Sequence, residues 1–586
     1  MTRIVTLKAA YRIAWGSKTS RALSGLLLAL VLAIAASAAQ KQLPQVGQKR
    51  AGSIKGRVLD ESGRPFANAV VYISPLNGVY EETREMVTDE NGNFQADGLV
   101  ARPYVVECYA KGYVGEDSNA YHLIGESITL WMRKGGVITG TVNSLNEPVV
   151  KAKVHAIRVR DGEGRSLSSP QNWDNVETDD RGIYRIYGLE SGSYLLMVNQ
   201  IGKFDDNALR NESPIYYPSA TRYGAQEVAV NQGQEASGIN ITYRNEPGHI
   251  ISGRCSGILK PSSEAYMKLV HAESGVVQER AWKGYKENGS FIFYGVPDGD
   301  YYVIAQNDYD EPSAASLPFK VVVKGKDVTG IELKLAPFGS IAGRVVKEAT
   351  PKTELKTECK PAREVLIGET VVRALRQKAA AKDMTALLFG SAVSSAPDEK
   401  NDFLIQNLPP GQYFLKMDLL GEDLYVASAT RRATDGKTID TAQNPLTIKP
   451  GERVTDITIT VRAGAASIRG AVAALADKAK APAQLYVYLV PSERENADLA
   501  VRYAETKTQS DNSFAFTNIA PGRYLLLVRP VTDDETDNAF SLAGSTAAGR
   551  AALRREAEKF NRQIDLQPCQ RITGYSISSA ATKPGY

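Results

Sequence analysis

Gly52-Ser53-Ile54-Lys55-Gly56-Arg57-Val58, followed about thirty residues later by Thr88-Asp89-Glu90-Asn91-Gly92-Asn93-Phe94, is the stretch on which the fold turns. Ile54 and Val58 alternate with polar residues and with Gly56, the period of a half-buried strand. Asn91-Gly92 supplies the positive-φ residues of a tight hairpin, and Phe94 then points inward from the following strand. Gly56 marks a bulge or a close approach of another backbone.

The same opening strand recurs at Val137-Ile138-Thr139-Gly140-Thr141-Val142, Ile250-Ile251-Ser252-Gly253-Arg254-Cys255, Gly339-Ser340-Ile341-Ala342-Gly343-Arg344-Val345 and Ala466-Ser467-Ile468-Arg469-Gly470-Ala471-Val472. Each copy is followed by its own polar turn and aromatic strand. These are Asp179-Asp180-Arg181-Gly182-Ile183-Tyr184, Asn288-Gly289-Ser290-Phe291, Asn401-Asp402-Phe403 and Asp511-Asn512-Ser513-Phe514. A short Gly/Pro loop and a tyrosine come next: Tyr104, Tyr194, Tyr301, Tyr413 and Tyr524. A tyrosine at that corner can brace the loop against its own backbone. Three copies end in a shared hairpin that leads almost directly into the next opening strand, at Val228–Ile241, Val321–Leu333 and Leu446–Ile459.

Short strands separated by frequent turns, repeated five times, define an all-β chain of five tandem sandwich modules. The boundaries fall at residues 51–134, 135–245, 247–336, 338–462 and 464–586. Short linkers predict a semi-rigid rod or arc with small neighbouring interfaces. Two regions break the pattern. Val372 to Phe389 reads as a helical insert in the fourth module, and Gly549 to Phe560 as a surface helix near the C-terminus. Ile572 to Ile577 resumes a strand.

At 586 residues the chain is too long for one core. Tyr (28) outnumbers Phe (14) and Gly reaches 49, a bias toward strands and turns. Net charge is +4, but Arg3, Lys8, Arg12, Lys18 and Arg21 all lie in the first 38 residues, which hold no acid. The remainder is close to neutral and offers no electrostatic case for nucleic acid. Those basic residues, the apolar run Leu23 to Ala39 and the small residues Ala36-Ser37-Ala38 read as an export signal over residues 1–38. An uncleaved N-terminal anchor is the rival reading, and the membrane is reached only through that segment. Cys108, Cys255, Cys359 and Cys569 fall in different modules and are expected to be unpaired.

The units resemble carboxypeptidase regulatory-like domains, which have a transthyretin-like, Ig-like sandwich. The first copy carries the likeness furthest, through Gly56 to Val71, Thr88 to Phe94 and Lys111-Gly112-Tyr113. The third copy lacks the Gly-x-Pro turn, and the fourth and fifth carry inserts. The resemblance implies fold strongly and function weakly. It implies a glycan role through the carbohydrate-binding-like folds with which such modules are grouped. It also implies a cell-envelope protein as partner, since these modules occur ahead of outer-membrane barrels.

No catalytic constellation is legible. His122, His155, His249 and His271 share no zinc-ligand spacing, and neither a Gly-x-Ser-x-Gly turn nor a phosphate loop occurs. Asp89-x-Asn91-x-Asn93 is explained by its hairpin without calcium. No cofactor or metal is expected, and the chain reads as non-catalytic. The alternative from another class is a hydrolase whose site is assembled between modules. The residues that exceed framework needs lie in the second module: Trp173 in a polar loop, then Tyr216, Tyr217 and Tyr223. Aromatic faces beside amides and carboxylates suit stacking on sugar rings. The competing assignment packs Tyr216-Tyr217-Pro218 against the sandwich edge.

Overall fold

In the computed structural model, the residues described run from 51 to 577. They exclude 79–81, 116–119, 173–175, 202–211, 245, 258–264, 274–276, 282–288, 309–311, 350–364, 378–382, 434, 474–484, 510, 531–543 and 545. Among the described residues ten sheets are formed, two for each repeat, and each pair encloses its own apolar cluster.

The opening strand has the same neighbours in every copy. Ala51–Asp60 pairs antiparallel with Asn93–Val100 and parallel with Ser127–Lys134. His249–Ser256 lies between Ser290–Val296 and Val328–Lys334, and Gly339–Glu348 between Asp402–Leu408 and Arg453–Ala463. Ala466–Val472 lies between Ser513–Ile519 and Arg571–Ile577, again with the last strand parallel. In the second copy two short strands, Glu235–Ala236 and Ile241–Thr242, take the parallel place beside Gly136–Ser144. The opposite sheet centres on Val70–Pro75, Ala152–Arg160, Tyr266–His271, Val371–Arg376 or Leu485–Pro491.

The fixed glycine is required by that parallel neighbour. A Cβ on Gly140 would stand 1.9 Å from the Ile239 carbonyl oxygen. On Gly470 it would meet Tyr575 O at 2.0 Å, on Gly253 Ile331 O at 2.1 Å, on Gly56 Ile128 O at 2.4 Å and on Gly343 Ile457 O at 2.5 Å. Both readings of the glycine hold in part, since register shifts also fall just before it, between Gly52 and Ile54 and between Gly339 and Ile341.

The corner tyrosines all make one bond. Tyr104, Tyr194, Tyr301, Tyr413 and Tyr524 are at most 2% exposed. Each donates its hydroxyl to the carbonyl four residues earlier: Val100, Glu190, Pro297, Pro409 and Ala520, at 2.6 to 3.0 Å. Replacing any one by Phe orphans a carbonyl beside the core. An expected loss of about 1–3 kcal/mol per site is measurable by denaturant titration.

The turn aspartates are committed in the same way. Asp89 Oδ1 accepts from the Asn93 and Asn91 amides, Asp179 from Ile183 and Arg181, and Asp398 from Lys400 and Asp402. The Asn93 and Ile183 amides hold Asp89 and Asp179 below the usual carboxylate range, and the Ser62 hydroxyl with the Arg64 amide holds Asp60 down to about 2. A depressed folded pKa adds stability that is present above the unfolded value and is lost as pH falls through the folded one. The thermal midpoint should therefore decline as pH drops from the usual carboxylate range toward about 2. A midpoint flat across that window would contradict the assignment.

Four features differ from the sequence reading. Val371–Arg376, expected to be helical, is a strand paired with Gly411–Asp418 and Ala392–Ser395. Val372 and Ala374 enter the core there, and sheet pairing outweighs the helix propensity of the alanines that follow. Among the described residues of that segment the helix is Met384–Phe389, capped by Asp383. The C-terminal helix, Ala547–Phe560, is docked rather than peripheral. Leu553 and Ala557 cover Tyr486, Tyr488, Val490, Leu525 and Leu527 on the outer face of the fifth module's sheet. Cys108 and Cys255 form no disulfide, but Cys569 is disulfide-bonded, so the four cysteines are not all unpaired. Cys359 lies outside the described residues.

The fourth difference is the arrangement of the modules. Met384, Leu387, Leu388 and Phe389 of the fourth module pack on Val270, Tyr302 and Ile304 of the third. Ala500 and Val501 of the fifth join the fourth module's core. Asn77 of the first module bonds to Ser395 of the fourth, and Arg373 of the fourth lies 5.3 Å over the Tyr121 ring of the first. The array folds back on itself: apolar contacts join the third module to the fourth and the fifth to the fourth, and polar contacts tie the first to the fourth.

Candidate functional site

The aromatic segment of the second module meets the third module. Its backbone is set by Ile215–Tyr216, a short strand antiparallel to Met197 and Val198, and by a single 3-10 turn at Arg222–Gly224. Trp173 lies outside the described residues.

Tyr216 is 0% exposed and packs with Ile157, Leu195 and Met197 on the outer face of the sheet. Its ring face is therefore closed to a sugar, and the edge-packing assignment holds for this residue. The cause is legible in the neighbouring strand. Leu195 and Met197 alternate with Leu196 and Val198 of the inner core, so both faces of that strand are apolar and both need cover. Tyr217 is half-buried against the inner core, its amide bonded to Leu196 O at 3.0 Å. Tyr223 alone of the described three is open, at 60% exposure.

Tyr223 also marks the joint with the third module. Its ring meets His271 edge-on at 5.4 Å and 64°, and His271 in turn meets the corner tyrosine Tyr301 at 5.7 Å and 84°. His271 is 1% exposed at the end of Tyr266–His271. Burial pushes the Tyr301 phenol well above its ordinary range, with Tyr216 and Tyr223 adding a smaller push. The seam thus gathers Tyr216, Tyr223, His271 and Tyr301 from two modules, and it can orient those modules or present one tyrosine face.

Three other ionisable side chains among the described residues, His249, Arg376 and Cys255, serve the framework. His249 stands between Asp298 at 3.2 Å and Asp327 at 3.8 Å, where the two modules join. Those carboxylates also accept from the Gly325 and Ile250 amides. Arg376 binds Asp383 Oδ2 at 2.9 Å, Pro410 O at 3.0 Å and the Tyr413 hydroxyl at 3.1 Å. Burial pushes the Cys255 thiol up to about 11, the direction of an inert packing residue. Among the described residues no group of three or more His, Cys, Asp or Glu side chains is placed to hold a metal ion. No helix among them is long and apolar enough to cross a membrane. The sequence reading missed His271 as a joint residue. Its signal was a polar residue following the paired apolar residues Leu269-Val270 at the end of a strand.

Residues 53–128 match the carboxypeptidase regulatory-like domain family, so the first module is identified as a domain of that kind. No curated protein matches the chain. Among solved structures, the minor pilin GBS52 of Streptococcus agalactiae is 13% identical, with a TM-score of 0.20, over 33% of this chain and 97% of that one. The Bacillus anthracis TIE protein is 12% identical, with a TM-score of 0.14, over 72% and 76%. The major pilin subunit BcpA of Bacillus cereus is 13% identical, with a TM-score of 0.13, over 49% and 99%. Likeness of that degree carries no functional weight.

Proposed function

We propose that this chain is an exported, non-catalytic scaffold whose five sandwiches present ligand- or partner-binding surfaces at or beyond the cell envelope. One observation carries the reading. The tyrosine hydroxyls that recur in every copy are consumed in corner bonds, and the turn aspartates Asp89, Asp179 and Asp398 in their own turns. The disulfide at Cys569 supports export, because such bonds persist in oxidising compartments. The basic and apolar segment over residues 1–38 supports it independently.

Cell fractionation with N-terminal sequencing tests the proposal. A mature chain beginning near Ala39 outside the cytoplasm, or an intact chain in the membrane fraction, is the expected result. An intact chain in the soluble cytoplasm would contradict it. The glycan form of the proposal now rests on Tyr223, the open one of the three described candidate aromatics. It predicts that a polysaccharide raising the melting temperature stops doing so in Tyr223→Ala, with at least a tenfold weaker Kd. Silence across a glycan array would remove the glycan form and leave the scaffold standing.

A further inference from the structure

We propose that the outer face of the first module's sheet docks a basic amphipathic helix of a partner protein, with an arginine or lysine of that helix seated on Tyr72 between Glu85 and Glu107. The inference rests on the scaffold reading above and assigns a partner to one of its surfaces. Strand register sets the face. Val70 lies opposite Val87 on one side and Tyr109 on the other, and Tyr72 lies opposite Glu85 and Glu107. Directly opposed residues have Cβ atoms about 4.5–5.5 Å apart, so two carboxylates flank one phenol ring and an apolar row runs beside them. Val87 and Tyr109 are 56% and 53% exposed, and Glu85 and Glu107 are exposed as well. Arg84 pairs with Ile73 and belongs to the opposite face.

The same face in the other modules shows what it takes. Tyr216 lies on it in the second. In the third, Met384, Leu387, Leu388 and Phe389 of one helix lie on Val270 and Ile304. In the fifth, Leu553 and Ala557 of another lie on Tyr488 and Leu527. A helix is thus the cover used twice. The sign of the cover for the first module follows from its acids. The third residue after the corner tyrosine is Met197, Ile304 or Leu527 in those three modules, each at most 3% exposed, and in the first it is Glu107. Tyr72 has a counterpart that already takes a cation. Tyr72 and Tyr488 each stand three residues before a proline paired with the corner tyrosine. The Arg529 guanidinium lies 4.9 Å over the Tyr488 ring and donates to its hydroxyl at 2.9 Å. Two carboxylates beside Tyr72 make that place still more favourable to a cation.

Fluorescence anisotropy tests this, with the full mature chain titrated into a labelled leucine–lysine amphipathic helical peptide and into its leucine–glutamate analogue. Wild type is expected to bind the lysine peptide saturably and the glutamate peptide about tenfold more weakly or worse. Glu85→Gln/Glu107→Gln should weaken the lysine peptide by about tenfold, and Tyr109→Ala should weaken it as well, since the apolar row shares the contact. Glu147→Gln/Glu332→Gln, which removes two exposed carboxylates from the second and third modules, should bind as wild type does. All of these side chains are exposed, so the melting temperatures should match. Equal binding of the two peptides, undiminished binding by Glu85→Gln/Glu107→Gln or by Tyr109→Ala, or an equal loss in Glu147→Gln/Glu332→Gln would each overturn the proposal. None of those results touches the exported scaffold, which fractionation reads independently.

Discussion

Asp383→Ala is expected to lower the stability of the fourth module by about 3–5 kcal/mol, the cost of leaving a buried charge without its partner. Asp383 and Arg376 are 8% and 9% exposed, and Nε meets Oδ2 at 2.9 Å. Three structures depend on this carboxylate. It pairs Arg376, which in turn reaches Pro410 O and the corner tyrosine Tyr413. Its other oxygen caps the helix by accepting from the Thr385 and Ala386 amides at 3.0 and 3.2 Å. The helix then carries Met384, Leu387, Leu388 and Phe389 onto the third module. The loss is therefore expected to reach beyond the fourth module and to free the third from it. Scanning calorimetry should show the fourth module's transition shifted well below wild type, with the third now melting separately. Asp383→Asn keeps an acceptor for the cap but not the charge, and should fall between the two.

Gly140→Ala is expected to cost about 2–5 kcal/mol, from overpacking together with one lost buried hydrogen bond. The added Cβ would stand 1.9 Å from Ile239 O and 2.4 Å from its carbonyl carbon, and both are backbone atoms without a rotamer to adopt. Ile239 O is also the acceptor of the Tyr184 hydroxyl at 2.5 Å, and Tyr184 is 1% exposed. Moving the parallel segment to admit a methyl group thus leaves that phenol unpaired. Gly63→Ala is the contrast. Gly63 has φ +79° with nothing within 4 Å of the added atom, so the cost is the left-handed backbone alone, about 1–2 kcal/mol. Chemical denaturation of the two variants separates the steric cost from the conformational one. Equal losses would refute the close-approach account of the repeated glycine.

What the sequence revealed depended on how local the cause was. The corner tyrosines, the turn aspartates and the strand at Phe94, Tyr184, Phe291, Phe403 and Phe514 follow from spacing within a dozen residues. The parallel partner of the opening strand did not, since the close approach to Gly56 or Gly470 is set by a strand arriving from the far end of the module. The covered outer faces have a signal in the sequence. Tyr194-Leu195-Leu196-Met197-Val198 and Leu485-Tyr486-Val487-Tyr488-Leu489-Val490 do not alternate, and an unbroken apolar strand is buried on both sides. Tyr216 covers the first and the helix Ala547–Phe560 covers the second. The burial of Tyr216 is the edge packing that the sequence reading had set beside the ligand face. The contact of Asn77 with Ser395 had no local signal, because it depends on how whole modules come to rest.

The account stands on five sandwiches, each with its own core around one opening strand. Native-state hydrogen exchange on the full chain tests this most directly. It should find slow exchange at Ile54–Val58, Ile138–Val142, Ile251–Cys255, Ile341–Val345 and Ile468–Val472, opening as separate cooperative units with distinct free energies. A single all-or-none opening across the whole chain, or unprotected amides in any of the five segments, would contradict it.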